Sequence, residues 1–340
     1  MKLAVVLVHY HAAELAARAY EALAQDLAAA RLGAEWVVVD NGSRPAERER
    51  LRSLPAALLE PGANLGYAGG ANLGVRSTAS EHVVLMNPDV MALPGCAAAL
   101  CAALDAGAAA AGPRFYWDAE RRFLLPPTER RTRVDELLRL LAERGERWAR
   151  YGRRRWRAHA RRCWTARAPY VCYELSGALL AFRRSAWEEL GGFDEGYRLY
   201  FEETDWLERL RRRRLAARFV PGAEAVHLYG RSTAGEPRAQ GWFEESYRRF
   251  RRRIYGPLFA AFLERLARAW PPAEPAVTSV EPGAGRAAWL EVSSSAVGYP
   301  AAARRLGPGS DDREGLPPGT CYLRTVDAEG RELGVRTVRT

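Results

Sequence analysis

The sequence predicts an α/β fold, a mostly parallel sheet flanked by helices, with a basic helical segment and a small C-terminal β-rich module. Three observations predict it. Short apolar runs alternate with helix-length segments through the first third, polar residues recur just past the ends of those runs, and the rhythm stops at an arginine-rich stretch. Leu3 to Tyr10 is an unbroken apolar run, as a strand covered on both faces requires. An alanine-rich helix is expected from Glu14 to Ala30, a strand at Trp36 to Val39, a helix over Pro45 to Ser53 and a weak strand at Ala57 to Leu59. A glycine-rich stretch, Asn64 to Gly74, leads into a short helix. Then come a strand at His82 to Met86, a helix at Leu93 to Leu104 and a strand at Ala108 to Gly112.

Beyond the basic stretch, a strand is expected at Ala178 to Phe182 and a helix at Arg184 to Leu190. Another helix begins near Glu203 and carries Asp205/Arg209 and Glu208/Arg212 at i, i+4 spacing. Ala217 to Val220 and Ala225 to His227 read as a strand pair, and Phe243 to Trp270 as one helical stretch. Strands at Trp289 to Ser293 and Cys321 to Val326 complete the tail. The expected domains are 1–235, holding the basic insertion 130–168, then an amphipathic helical segment 236–270, a linker 271–283 and a β module 284–340.

Composition narrows the function. The chain has 340 residues, 48% of them hydrophobic, enough for a large core. No apolar run is long enough to cross a bilayer, and the first residues lead into a core strand without a cleavage site, so a cytoplasmic protein is expected. Five cysteines without a C-x-x-C pair argue for reduced, buried thiols over a disulfide framework or a zinc site. Residues 130–168 hold fourteen arginines against four carboxylates, an excess equal to the +10 of the whole chain. With Trp148, Trp156 and Trp164, that stretch reads as amphipathic helices touching an anionic inner-membrane surface or a lipid diphosphate. A solvated basic surface, or nucleic-acid binding by charge alone, is the alternative. Nucleic acid is not the expected partner, because it gives no reason for the acidic cluster described below.

Ligands of open α/β sheets sit beyond the carboxyl ends of the strands. Those ends deliver His9-Tyr10, Asp40-Asn41-Gly42-Ser43 and Asn87-Pro88-Asp89. Asp89 can hold a divalent cation that bridges diphosphate oxygens, with Asn87 supplying a neutral oxygen, although the triplet alone reads equally as a turn. Asp40 can accept a hydrogen bond from a nucleobase or cap a helix. Glu202, Glu203 and Asp205 form an acidic cluster from which Glu203 could serve as general base. A helix dipole explains one such carboxylate better than three. His227 ends an apolar strand and could complete a magnesium or manganese site begun by Asp89.

In order and spacing these segments resemble glycosyltransferase family 2, specifically its rhamnosyltransferase-like branch. The matching motifs are Val-Asp-Asn-Gly-Ser (39–43), Asn-Leu-Gly-Tyr-Ala-Gly-Gly-Ala-Asn-Leu-Gly (64–74), Asn-Pro-Asp (87–89) and Ser-Gly-Ala (176–178). Gly-Gly-Phe-Asp-Glu (191–195), Tyr-Phe-Glu-Glu-Thr-Asp-Trp (200–206) and His227 with Ser232 follow. The resemblance implies a GT-A fold and an inverting displacement of a sugar, rhamnose among the candidates. The donor would be a dTDP-, UDP- or GDP-linked sugar, the acceptor a glycan or lipid-linked saccharide, and the cofactor Mg2+ or Mn2+. Carried over by position, His9, Tyr10, Asp40, Asn41, Asn64, Gly66, Gly70, Asn72 and Asn87 would line the donor. Asp89 and His227 would hold the metal, and Glu203 would be the base. Glu202 and Gly177 would meet the acceptor, and Asp205 would orient the helix or bind the acceptor. Three departures stand out: His9-Tyr10-His11 where the family usually has Asn-Tyr-Asn, Glu203 for the usual Asp, and Asn87 for the first acid of D-x-D. A catalytically weak carbohydrate- or nucleotide-binding relative is the alternative function.

Overall fold

In the computed structural model, residues 2–228, 238–272, 287–307 and 313–340 are described; Ser232 and most of the expected linker lie outside them. The elements run β1 (Leu3–His9), α1 (Ala13–Ala29), β2 (Ala34–Asp40), α2 (Pro45–Arg52), β3 (Ala57–Leu59), α3 (Gly66–Arg76), β4 (His82–Met86) and β5 (Val90–Ala92). Next come α4 (Cys96–Asp105), β6 (Ala110–Tyr116), α5 (Arg133–Ala142), α6 (Glu146–Thr165), β7 (Tyr170–Val171), β8 (Leu179–Arg183), α7 (Arg184–Leu190) and α8 (Glu202–Arg212). Then follow β9 (Ala217–His227), α9 (Ala239–Phe250), a π-helical turn (Arg251–Tyr255) and α10 (Pro257–Ala269). The last strands are β10 (Trp289–Ser293), β11 (Ala302–Arg305), β12 (Thr320–Val326) and β13 (Glu332–Arg339).

Two compact units result, residues 1–115 with 166–254, and 116–165 with 255–340. The first contains a mixed nine-stranded sheet in the order β3-β2-β1-β4-β8-β6-β9-β5, with β7 beside β9. Its β3, β2, β1 and β4 are parallel, joined by helical crossovers, and every residue of β1 and β4 is buried. From β8 onward the pairing turns antiparallel. That switch sets the start of β8 beside the end of β4, with Leu179 opposite Met86. One cap arrives from a distance: the Asp26 carboxylate of α1 accepts the Gly95 and Ala97 N–H groups at the start of α4, at 2.5 and 2.7 Å.

Two expectations change. The strand pair at 217–227 is one strand, because Pro221 removes a single donor while the halves pair with different neighbours, β7 and β5. The single helical stretch 243–270 is two helices, interrupted by the π turn, by Gly256 at φ 92° and by Pro257, which has no N–H to continue the ladder.

The second unit is a four-stranded antiparallel sheet, β11-β10-β12-β13, with α6 on one face. Side chains alternate along β10 as a strand must. Trp289 and Glu291 face α6, where Trp289 stacks on Trp164 and Glu291 pairs with Arg157, while Leu290 and Val292 join Phe123 on the other face. The basic stretch thus shares a compact unit with the β module, where the sequence had suggested an insertion in the first domain. The reason is burial: α6 supplies Trp156, Ala160 and Trp164 to a sheet too small to cover its own apolar face. All five cysteines are buried thiols, and among the described residues no helix is long and apolar enough to cross a membrane.

Candidate active site

The β1 and β2 ends form a closed polar network in the first unit. His9 is fully buried, and its Nε2 accepts the Ala12 N–H at 2.8 Å. The ring proton therefore sits on Nδ1, 3.1 Å from Ser43 Oγ and 3.4 Å from Asp40 Oδ1. Burial lowers the His9 pKa against the pull of Asp40, so the ring is neutral. Asp40 also accepts the Ser43 N–H at 3.0 Å and lies 3.6 Å from Arg48 Nε. Asn41 donates to Gly66 O at 2.9 Å and accepts the Leu65 N–H at 2.8 Å, stapling the glycine loop to β2. His9, Asp40 and Asn41 thus carry internal bonds, and Tyr10 and Asn64, both half-buried, are the more accessible donor candidates here.

Two glycines fix how α3 lies on the sheet. A Cβ on Gly74 would fall 2.4 Å from Val6 Cγ1, so only glycine lets the helix approach β1 this closely. Gly66 has φ +75°, and a Cβ there would meet Arg198 O at 2.8 Å. Gly70 faces Val8 and Asn41 on the same buried side. Asn72, expected at the donor, is hydrogen-bonded to the 193–195 loop. It donates to Phe193 O at 2.9 Å and Glu195 Oε1 at 2.8 Å, and accepts the Phe193 N–H at 3.0 Å.

The acidic residues gather where β4, β8, β9 and α8 meet. Asn87 N–H donates to Ala178 O at 2.8 Å, which ties the Asn-Pro-Asp turn to the Ser-Gly-Ala turn. Val90 pairs with His227, and Asp89 O accepts the Leu228 N–H at 3.0 Å. That register brings His227 Nε2 to 3.5 Å from the fully buried Asp89 carboxylate. Tyr200 and Phe201 both adopt left-handed backbone, φ 69° and 72°, immediately before Glu202 and Glu203. Glu203 packs directly on Gly177, whose missing Cβ would sit 3.1 Å from the Glu203 Cβ.

Tyr67, which the sequence reading passed over inside its own glycine motif, links these pieces. Its hydroxyl donates to Gly177 O at 3.1 Å, and burial with Glu202, Glu203 and Asp89 nearby pushes its pKa well above the ordinary range. Glu202 is buried, and its Oε2 has no hydrogen-bond partner among the described residues. Burial, and then the charge of Glu203, drives its pKa well above the usual glutamate range. Asp205 does not join this group. It is fully buried and held by Arg209 and Arg253, each at 2.8 Å, with Tyr197 Oη at 3.4 Å.

Among the described residues no three His, Cys, Asp or Glu side chains form a metal cage. The donor set at the Asn-Pro-Asp turn still suits a hard cation with open positions. Asn87 Oδ1 is buried without a hydrogen-bond partner among the described residues, beside the Asp89–His227 pair.

The chain belongs to glycosyl transferase family 2, whose model matches residues 4–187. A 63-residue stretch is 43% identical to N-acetylglucosaminyl-diphospho-decaprenol L-rhamnosyltransferase of Mycobacterium tuberculosis, in two strains. That stretch spans 18% of this chain and 20% of the relative. Among solved structures, the chain is similar to the mannosyltransferase PcManGT from Pyrobaculum calidifontis, in complex with GDP-Man and Mn2+. The two are 16% identical with TM-score 0.46, over 81% of this chain and 76% of the other. It is also similar to S. aureus TarS, at 13% identity and TM-score 0.48, over 79% of this chain and 43% of TarS.

Proposed function

We propose that the chain moves a sugar from a nucleotide-diphosphate donor to a glycan or lipid-linked acceptor by a single displacement with inversion. The observation that carries this reading is the meeting of Glu203, Gly177, Tyr67 and the Asp89–His227 pair at one place. Glu203 takes the proton from the acceptor hydroxyl as that oxygen attacks the anomeric carbon, on the face opposite the departing diphosphate. Tyr67 holds the Gly177 turn on which Glu203 rests, so the base has a fixed reach. Glu202, whose pKa burial and the Glu203 charge raise, lies beside that base and in its protonated form would donate a hydrogen bond to the acceptor. Asp89 and His227, with Asn87, would hold Mg2+ or Mn2+. The ion supplies Lewis-acid stabilisation of the leaving diphosphate.

The donor is a dTDP-, UDP- or GDP-linked sugar. Rhamnose transfer to a lipid-diphosphate saccharide is favoured by the name of the mycobacterial relative, whose match covers a fifth of that protein. Contact with a membrane surface is supported by exposed Leu258 and Phe262, one turn apart on α10, and by exposed Trp148 near the start of α6.

Turnover of a nucleotide-sugar panel with Glu203→Gln tests the reading. The variant should lose about 10²–10⁴-fold in kcat with donor affinity little changed. Unchanged turnover would remove Glu203 from the mechanism. Donor binding without turnover in the unmodified chain would make it a sugar-nucleotide-binding relative instead.

A further inference from the structure

The second unit holds a concentration of charge of the opposite sign, which the transfer reaction does not use. An open groove runs between α6, the 295–297 turn and the start of β13, lined by eight arginines and four glutamates. Three of those arginines, Arg153, Arg157 and Arg324, are buried. They converge on one carboxylate, with Arg153 Nε 3.1 Å and Arg157 Nη2 3.3 Å from Glu332 Oε2, and Arg324 Nε 3.6 Å from Glu332 Oε1. Arg157 has a second, bidentate partner in Glu291, at 2.6 and 2.8 Å. Arg153 reaches Glu146, which is largely exposed and correspondingly screened.

Arg324 is the least satisfied of the three. Its Nη2 donates to Ala296 O at 3.0 Å, whereas Nε and Nη1 meet no hydrogen-bond acceptor among the described residues. Leaving such donors buried and unfilled is costly, and burial together with Arg153 pulls this guanidinium's pKa down. Two guanidinium N–H positions of Arg324 in this groove therefore meet no acceptor among the described residues. On the rim, Arg154 is exposed with no partner among the described residues, and Arg150 has only Glu146 at 3.9 Å.

We propose that this groove is a binding site for a phosphate or diphosphate group, separate from the sugar-transfer site. Planar guanidinium forks match phosphate oxygens in pairs, and several converging on one point suit a doubly charged or bridged anion. A single-stranded nucleic acid is the weaker fit, because among the described residues no aromatic side chain lines the groove to stack a base. The phosphate could belong to a soluble molecule or to a lipid headgroup; the recognition chemistry is the same.

Calorimetry of the full chain with inorganic diphosphate, in EDTA to silence cation-dependent binding elsewhere, tests the site. Binding should appear and weaken with salt. Arg150→Ser with Arg154→Ser, both on the exposed rim, should raise Kd at least about tenfold with the melting temperature unchanged. Arg324→Met should do the same from the floor of the groove, and the rim pair keeps the test valid if that variant fails to fold. Asp89→Asn should leave diphosphate binding in EDTA intact, which separates this site from the proposed transfer site. Vesicles of phosphatidylglycerol, against phosphatidylcholine, identify the source. Binding competed by diphosphate and lost in the rim variant assigns a lipid headgroup, and diphosphate binding without vesicle binding assigns a soluble ligand. No diphosphate binding in EDTA, or binding that the arginine variants leave unchanged, overturns the proposal.

Discussion

The two units bury charge in opposite ways. In the first, carboxylates of Glu202, Glu203 and Asp89 gather around Tyr67, and burial together with the Glu203 charge raises the Glu202 pKa. In the second, guanidinium groups of Arg153, Arg157 and Arg324 crowd onto Glu332, and the Arg324 pKa falls. A third cluster is the control. Asp205 has an arginine on each carboxylate oxygen, so its charge is fully paired, and one of the two, Arg253, is shared with Asp194. Balanced buried charge holds a fold in register, whereas an uncompensated excess of one sign is what a ligand of the other sign, or a proton, can relieve.

Changes at the excess should therefore damage function, and changes at the balanced cluster should damage stability. Asp89→Asn should abolish cation-dependent donor binding and lower transfer by about 10³-fold or more, with the melting temperature level or raised. Titrating donor with and without Mn2+ alongside a thermal melt checks both halves, and a large loss of stability would put Asp89 with Asp205 instead. Asp205→Asn should cost about 3 kcal/mol of stability, because Arg209 and Arg253 lose a buried counter-charge. Denaturant unfolding measures it, and a stable but inactive variant would return Asp205 to the acceptor site. Glu291→Gln in the second unit should behave in the same way as Asp205→Asn, since Arg157 loses its bidentate partner.

The smallest effect depends on pH. Burial and the Glu203 charge raise the Glu202 pKa in the folded state, so between the ordinary glutamate range and that raised value the folded chain binds more protons than the unfolded one. Stability from this group is full below that range and is lost as pH rises toward the raised pKa. Glu202→Gln should thus melt higher than the unmodified chain at pH 8, with the difference vanishing near pH 4. A difference that grows toward acid would mean that Glu202 is ionised in the folded state.

Much of the frame was legible in the residues. Strands at His82–Met86 and Trp289–Ser293, and the helix at Arg184–Leu190, fall at the bounds expected, because each carries a strong apolar pattern between clear breakers. The short β5 and β7 were passed over, since three or two residues display no period; their strand character comes from pairing with β9. The cap that Asp26 gives α4 could not be read either, because the two are some 70 residues apart in the chain. The arginine-rich stretch looked like an outward-facing surface. Its spacing on a helix was visible, but not the sheet that receives Trp156, Trp164 and Arg157.

Sequence alone determined that a parallel half-sheet would form and that polar residues would stand at its strand ends. Both follow from short-range pattern and turn chemistry. It also carried the ordered motifs from Asp40 to Ala178, which fall within the residues that match glycosyl transferase family 2. Only the tertiary structure decided which of those polar groups have internal hydrogen-bond partners and which gather at the acidic centre. Asp40, Asn41, Asn72 and Asp205 are engaged internally, while Tyr67 joins Gly177 beside Glu202, Glu203 and Asp89. The reason is physical: a side chain's hydrogen-bonding capacity is intrinsic, but whether it is filled depends on partners that may be a hundred residues away.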